Sequence, residues 1–245
     1  METKLYLDIQ QQPDNVTCGP TCLHAVYRYF NDQTTLNQVI SEVTYLKEGG
    51  TLAVYLACHA LKRGYKAILY TYNLQVFDPT WFTPNKPDIS EKLNLQLQYK
   101  KQDPEREVAT HAHLKFLELG GQVRFEVLTA GLIRKFLNRR IPILTGLSAT
   151  FLYNSAREVD EGGSLFYDDI RGEPMGHFVV LAGYDRAQRN VLLADPFMPN
   201  PVSSGQLYQI DIYRLVCAIL LGTLTYDGNL LIIEPRKARK DMTKI

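Results

Sequence analysis

Gln12-Pro13-Asp14-Asn15-Val16-Thr17-Cys18-Gly19-Pro20-Thr21 places a cysteine directly before a helical pattern. From Pro20 to Phe30 the apolar residues Cys22, Ala25, Val26, Tyr29 and Phe30 recur at helical spacing, which predicts a helix with one buried stripe. Asn31-Asp32 ends it. A thiol at a helix N-terminus lies beside unpaired N–H groups and the positive end of the helix dipole, which favour thiolate. Pro20 suits the first helical turn, and Gly19 leaves room for a close approach to the sulfur. These features mark Cys18 as a candidate nucleophile. The alternative is a buried structural thiol, the common fate of a free cysteine.

A cysteine nucleophile needs a base, a group that orients the base, and donors for an oxyanion. Downstream, Gly176-His177-Phe178-Val179-Val180-Leu181-Ala182-Gly183-Tyr184-Asp185 reads as a buried strand opening on a histidine. Asn190 to Ala194 reads as a second strand, and the polar run 185–189 between them predicts a hairpin. Pairing would then bring His177 beside Asp195, which follows the second strand, so that the carboxylate fixes the imidazole tautomer. Gln12 is the candidate for the fourth part. Its amide and the Cys18 backbone N–H would form two oxyanion donors.

Gln12, five intervening residues, Cys18-Gly19-Pro20, then His177 leading an apolar strand and Asp195-Pro196, together resemble the papain-like cysteine peptidases. The resemblance is strongest to the bacteriocin-processing, double-glycine-leader type, cysteine peptidase family thirty-nine, and its stand-alone relatives. It covers residues 15–35 and 140–200 and leaves 75–130 unmatched. It implies an α+β fold in which a helical half carrying Cys18 packs against an antiparallel sheet carrying His177 and Asp195. The activity implied is peptide-bond hydrolysis through a Cys18 thioester on a peptide or protein substrate, without a cofactor. Interception of the thioester by an amine, or a non-catalytic peptide-binding role, are the alternatives. Unlike transporter-borne members, this chain shows no transmembrane segment or phosphate loop.

Composition agrees with a globular enzyme. The chain has 245 residues, 45% hydrophobic and 22% charged. With 27 Lys+Arg against 26 Asp+Glu, the net charge of +1 provides no basic field for nucleic acid. The N-terminus lacks a signal-peptide pattern, and the apolar window 215–224 is about half a membrane span. Cys22, Cys58 and Cys217 are expected in the core, and free thiols point to a cytoplasmic setting. His111 and His113 diverge on a helix, and no cluster completes a metal site.

Elsewhere the pattern predicts a short opening strand at 4–10, helices at 36–46 and 51–63, and a strand at 65–72. Helices follow at 89–101 and 104–119, forming a helical insertion at 89–120. A strand at 123–127, a helix at 129–138 capped by Thr129, and a strand at 141–147 come next. Residues 207–222 read as helix and 229–234 as a final strand. The acidic residues Glu158, Asp160, Glu161, Asp168 and Asp169 fall in an expected loop, either solvated or facing the cleft and favouring a basic substrate. Residues 1–235 read as one domain and 236–245 as a charged tail.

Overall fold

The structure, a computed structural model, describes residues 3–47, 49–84, 87–100, 103–162 and 164–236. The helix predicted from the opening segment is α1 (Cys18–Tyr29), and it begins two residues early, at Cys18 itself. Burial also exceeds a single stripe. Every residue from Gly19 to Tyr27 is buried, because α1 lies between a sheet and two further helices, α2 (Leu36–Glu42) and α3 (Ala53–Lys62).

Thr35 and Gln38 form a reciprocal capping box at the start of α2. That helix stops four residues short of the predicted end. Val43 is extended, and the Thr44 carbonyl accepts the Thr51 hydroxyl at 2.7 Å, so the backbone turns toward α3 rather than continuing. Gly64, at φ +87°, ends α3 as a left-handed terminator.

The described residues hold ten strands in chain order. They are β1 (Thr3–Lys4), β2 (Tyr65–Thr71), β3 (Gln122–Arg124), β4 (Ile143–Ser148), β5 (Glu158–Glu161), β6 (Ser164–Tyr167), β7 (Gly176–Asp185), β8 (Asn190–Ala194), β9 (Leu207–Asp211) and β10 (Asn229–Pro235). The main sheet runs β3-β2-β10-β4-β7-β8-β9, with β1 added beside β7. All its pairings are antiparallel except β2 with β3. The strand β10 is buried from Asn229 to Ile233, and each such apolar side chain contributes about 1.5–3 kcal/mol. β5 and β6 form a separate two-stranded hairpin.

Five further α-helices lie among the described residues. α4 (Ile89–Tyr99) and α5 (Pro104–Glu118) are capped by Asp88 and Asp103, and α5 packs on α3. α6 (Ala130–Leu137) is capped by Thr129 as predicted, its hydroxyl accepting from the Leu132 N–H. α7 (Ala149–Tyr153) and α8 (Ile212–Leu221) flank the His177 end of the sheet.

Four further expectations change. The opening strand is only two residues long. After Leu5 donates to the Ala182 carbonyl at 2.7 Å, that edge of β7 is taken by β4, and the chain leaves the ladder with Leu5, Leu7 and Ile9 still buried. Residues 207–211 are strand, not helix, because they cover the free edge of β8, and Asp211 then caps α8. The acidic stretch is the β5–β6 hairpin rather than an open loop. Cys22 and Cys58 are buried as expected, but Cys217 is exposed, on the outer face of α8. The expected tail lies, apart from Arg236, outside the described residues.

Candidate active site

The head of α1 and one end of the main sheet meet at Cys18. Its side chain is partly exposed, while Thr17 and Gly19 on either side are buried. A methyl group on Gly19 would come within 2.7 Å of the Thr51 side chain and 3.2 Å of Leu56 and Phe178. Only glycine lets the thiol-bearing turn sit this close to β7.

His177 is the second residue of β7, paired with Leu147 of β4, so its backbone is held on the sheet. The register of the predicted hairpin sets Val180 opposite Ala194, and Asp195 follows immediately. His177 Nε2 lies 2.8 Å from Asp195 Oδ1. Cys18 is the other ionisable side chain close enough to raise the ring's pKa, and with Nε2 engaged by Asp195 the nitrogen left for the sulfur is Nδ1. The imidazole is buried and sits among the rings of Tyr153 and Phe197, at centroid distances of 6.0 and 6.1 Å.

Asp195 is fully buried and saturated with donors. Its Oδ2 accepts from Tyr208 Oη at 2.7 Å, Tyr153 Oη at 2.8 Å and Asn200 Nδ2 at 3.0 Å. Its Oδ1 accepts from the Phe197 N–H at 3.0 Å besides His177. Burial alone would raise its pKa, but His177 and these donors outweigh burial and hold it below the ordinary carboxylate range. Burial likewise opposes charge on His177. The Asp195 charge and hydrogen bond, with Cys18, overcome it and raise the imidazole to about 10. Tyr208→Phe deletes one of three donors to Oδ2, and is expected to cost about 1 kcal/mol of stability, read as a lowered urea midpoint. An unchanged midpoint would show that this hydroxyl does not support the carboxylate.

Gln12 lines the same cavity as His177, about 270 Å³ in volume and walled also by Tyr153, Glu158, Tyr167 and Phe197. Its backbone N–H donates to the Pro196 carbonyl at 3.0 Å, tying the Cys18 loop to the chain just past Asp195. Its Nε2 donates to the Asp14 carbonyl at 2.7 Å, and its buried Oε1 has no partner among the described residues. That bond uses one of two amide protons. The Asp14 contact was not expected from sequence.

The other thiols differ in character. Cys22 Sγ donates to the Phe178 carbonyl at 3.2 Å, and burial, then the Cys18 and Asp195 charges, push its pKa well up. Burial pushes Cys58 up to about 11. His59 is bonded to Tyr27 Oη at 2.8 Å and Glu42 at 3.0 Å. A second carboxyl, Asp227, lies against Gly176. Burial drives its pKa well above the usual carboxylate value, and Asp195, hydrogen-bonded to the ring, is the carboxylate paired with His177. Among the described residues no group of three or more His, Cys, Asp or Glu could hold a metal ion, and no helix is long and apolar enough to cross a membrane.

A family model, the Peptidase_C39 like family, matches residues 4–213. The chain belongs to this family. It is a cysteine peptidase of α+β fold. No curated protein matches this C39-like peptidase. Solved structures similar to it include a double glycine motif protease from an AMS/PCAT transporter in complex with the leader peptide. That protease shares 16% identity over 96% of this chain and 95% of its own, with a TM-score of 0.43. The peptidase domain of Streptococcus ComA is 13% identical over 94% of this chain and 100% of its own, at 0.43. Xylellain, a cysteine protease from Xylella fastidiosa, is 14% identical over 96% and 86%, at 0.40.

The structure therefore brings Cys18, His177 and Asp195 of the C39-like peptidase together, with Gln12 in the wall of the same cavity. Sequence reasoning missed Tyr153, Asn200, Tyr208 and Asp227, whereas Glu158, one of the acidic residues read as either solvated or facing the cleft, does line the cavity. Asn200 lies five residues beyond Asp195, near enough for a local hydrogen-bond search. Tyr153 and Tyr208 arrive from α7 and β9, elements the pattern did not predict.

Proposed function

We propose that this peptidase cleaves peptide bonds with Cys18 as nucleophile, His177 as acid and base, Asp195 as its orienting anion, and Gln12 with the Cys18 N–H as oxyanion donors. The observation that supports the reading most is the placement of His177, hydrogen-bonded to a fully buried Asp195 and close enough to Cys18 for the thiol to raise its pKa. With the proton on His177, the sulfur attacks the carbonyl carbon as thiolate, and the C=O electron pair moves onto oxygen. Collapse breaks the C–N bond, and His177 gives its proton to the leaving amine. A water then loses a proton to the neutral imidazole and attacks the thioester, and the sulfur departs as thiolate beside the recharged ring. Asp195 stabilises that charge throughout.

Residues 1–235 act in this proposal as one peptidase domain, with α4 and α5 as an inserted helical arm. Four free cysteines fit a reducing, cytoplasmic setting. The substrate is a peptide or protein segment able to enter beside His177.

The test is alkylation at neutral pH followed by mass mapping. Because Cys217 is exposed, it is first replaced in a Cys217→Ser background. Cys18 is expected to react faster than Cys22 and Cys58, and faster than the same Cys18 in a His177→Ala variant. Equal rates with and without His177 would dispose of the ion-pair reading. Digesting a peptide with an amine present separates hydrolysis from acyl transfer. A free carboxyl-terminal fragment supports hydrolysis, and an amide adduct as main product supports a transferase.

A further inference from the structure

The cavity beside His177 contains a charged group that the proposed mechanism does not use. Glu158, the first residue of β5, is the one acidic side chain in the cavity wall among the described residues, none of which brings a lysine or arginine to that wall. Its position is fixed by the backbone. Its N–H donates to the Glu173 carbonyl at 3.1 Å, the Glu173 N–H returns a bond of 2.9 Å, and Tyr167 of β6 lies opposite it in register.

The cations of the hairpin are committed elsewhere. Arg171 pairs with Asp168 at 2.6 Å and with Glu161 at 3.0 Å. Arg157 donates to the carbonyl of Asp169 at 2.6 Å. Of the acidic stretch as a whole, Asp168 and Glu161 are thus bound up with Arg171, while Glu158 has no ion pair among the described residues. Around it stand aromatic walls, Tyr153, Phe166, Tyr167 and Phe197, with Met175 as an aliphatic floor.

Aromatic and aliphatic walls with a single fixed carboxylate suit a long side chain with an apolar stem and a cationic head. The methylenes pack on the rings, the cation gains from the ring faces, and the head forms a charge-assisted hydrogen bond with the carboxylate. A neutral apolar chain would leave the half-buried carboxylate unpaired, and an acidic one would meet like charge. Burial already raises the Glu158 carboxyl, with His177 acting against that rise.

We infer that Glu158 is the specificity-determining residue of this peptidase, and that the cavity takes a lysine or arginine side chain of the substrate near the bond that is cut. The inference rests on the proposed peptidase reading of Cys18 and His177, and adds the chemical class of side chain that the site accepts.

It is tested by digesting a library of random dodecapeptides with the full chain and reading cleavage sites by mass spectrometry. Wild type is expected to favour Lys or Arg over Leu and Met, at one position within a few residues of the cut, by about ten- to a hundredfold, the range of a hydrogen bond to a charged group. Glu158→Gln is expected to erase that preference, and Glu158→Lys to turn it toward Asp or Glu, with circular dichroism checking that both fold. Cleavage without a basic preference, or a preference that survives Glu158→Gln, overturns the inference and leaves the peptidase reading standing. A wild-type enzyme that cleaves nothing in the library overturns the peptidase reading, and this inference with it.

Discussion

Asp195→Asn is expected to lower kcat/KM by about two to four orders of magnitude and to destabilise the fold by about 3–5 kcal/mol. Asp195 accepts five hydrogen bonds and donates none through its side chain. An asparagine must turn its NH2 toward one set of these donors. Facing Oδ2's partners it meets two tyrosine hydroxyls and the Asn200 amide; facing Oδ1's partners it meets His177 and the Phe197 N–H. Either choice leaves buried donors without acceptors, and His177 loses the anion that holds its charge. Kinetics on any peptide that wild type cleaves, with calorimetric melting, would check both parts. A variant within tenfold of wild type would rule out the orienting role.

The pH dependence of that deficit has a definite sign. Asp195 is depressed in the fold, so its contribution is present above the ordinary carboxylate value near 3.9 and is lost as pH falls through its folded pKa. His177 is raised to about 10, so its contribution is full below the ordinary imidazole value, about 6.5, and fades as pH rises toward 10. The stability gap between wild type and Asp195→Asn should therefore be widest between roughly pH 4 and 6.5, and narrow above it.

Cys18→Ala is expected to reduce turnover by at least about four orders of magnitude while changing stability by less than about 1 kcal/mol. The proposed nucleophile disappears, but the side chain is partly exposed and its loss opens no closed cavity. Because Cys18 helps to raise His177, the imidazole of the variant should titrate below about 10, yet above an ordinary histidine because Asp195 remains. An NMR titration of the ring reads this directly. A His177 pKa identical in the two proteins would show that the thiol and imidazole do not interact.

Legibility in the sequence followed how local each feature is. The hairpin that brings His177 to Asp195 was readable because two apolar runs flank one polar turn, and β8 matches its predicted bounds. Thr129 was recognisable as a cap because its oxygen needs only a neighbouring N–H. Residues 207–222 misled because an apolar run passes from a strand into a helix without Gly or Pro; only the free edge of β8 makes the first five residues extended. The β5–β6 hairpin escaped because charged side chains on both faces mask a period of two. Cys217 was placed wrongly for a different reason: α8 is apolar on its outer side too, with Leu220 and Leu221 partly exposed. Around Asp195, the two tyrosines converge from strand and helix many residues apart, and no sequence spacing encodes such a meeting.

The position of β10 bears on how the enzyme is made. This strand, the last of the described chain, lies between β2 and β4, pairing with Leu69 and Ile68 on one side and with Leu144 and Ile143 on the other. It also lies beyond the residues matched by the family model. While the ribosome is still translating residues 229–235, the strand behind the helices and the strand beside His177 have no common neighbour, and each leaves an apolar edge open. The two parts of the sheet, one backing the helices and one carrying His177, are therefore joined only once β10 is in place.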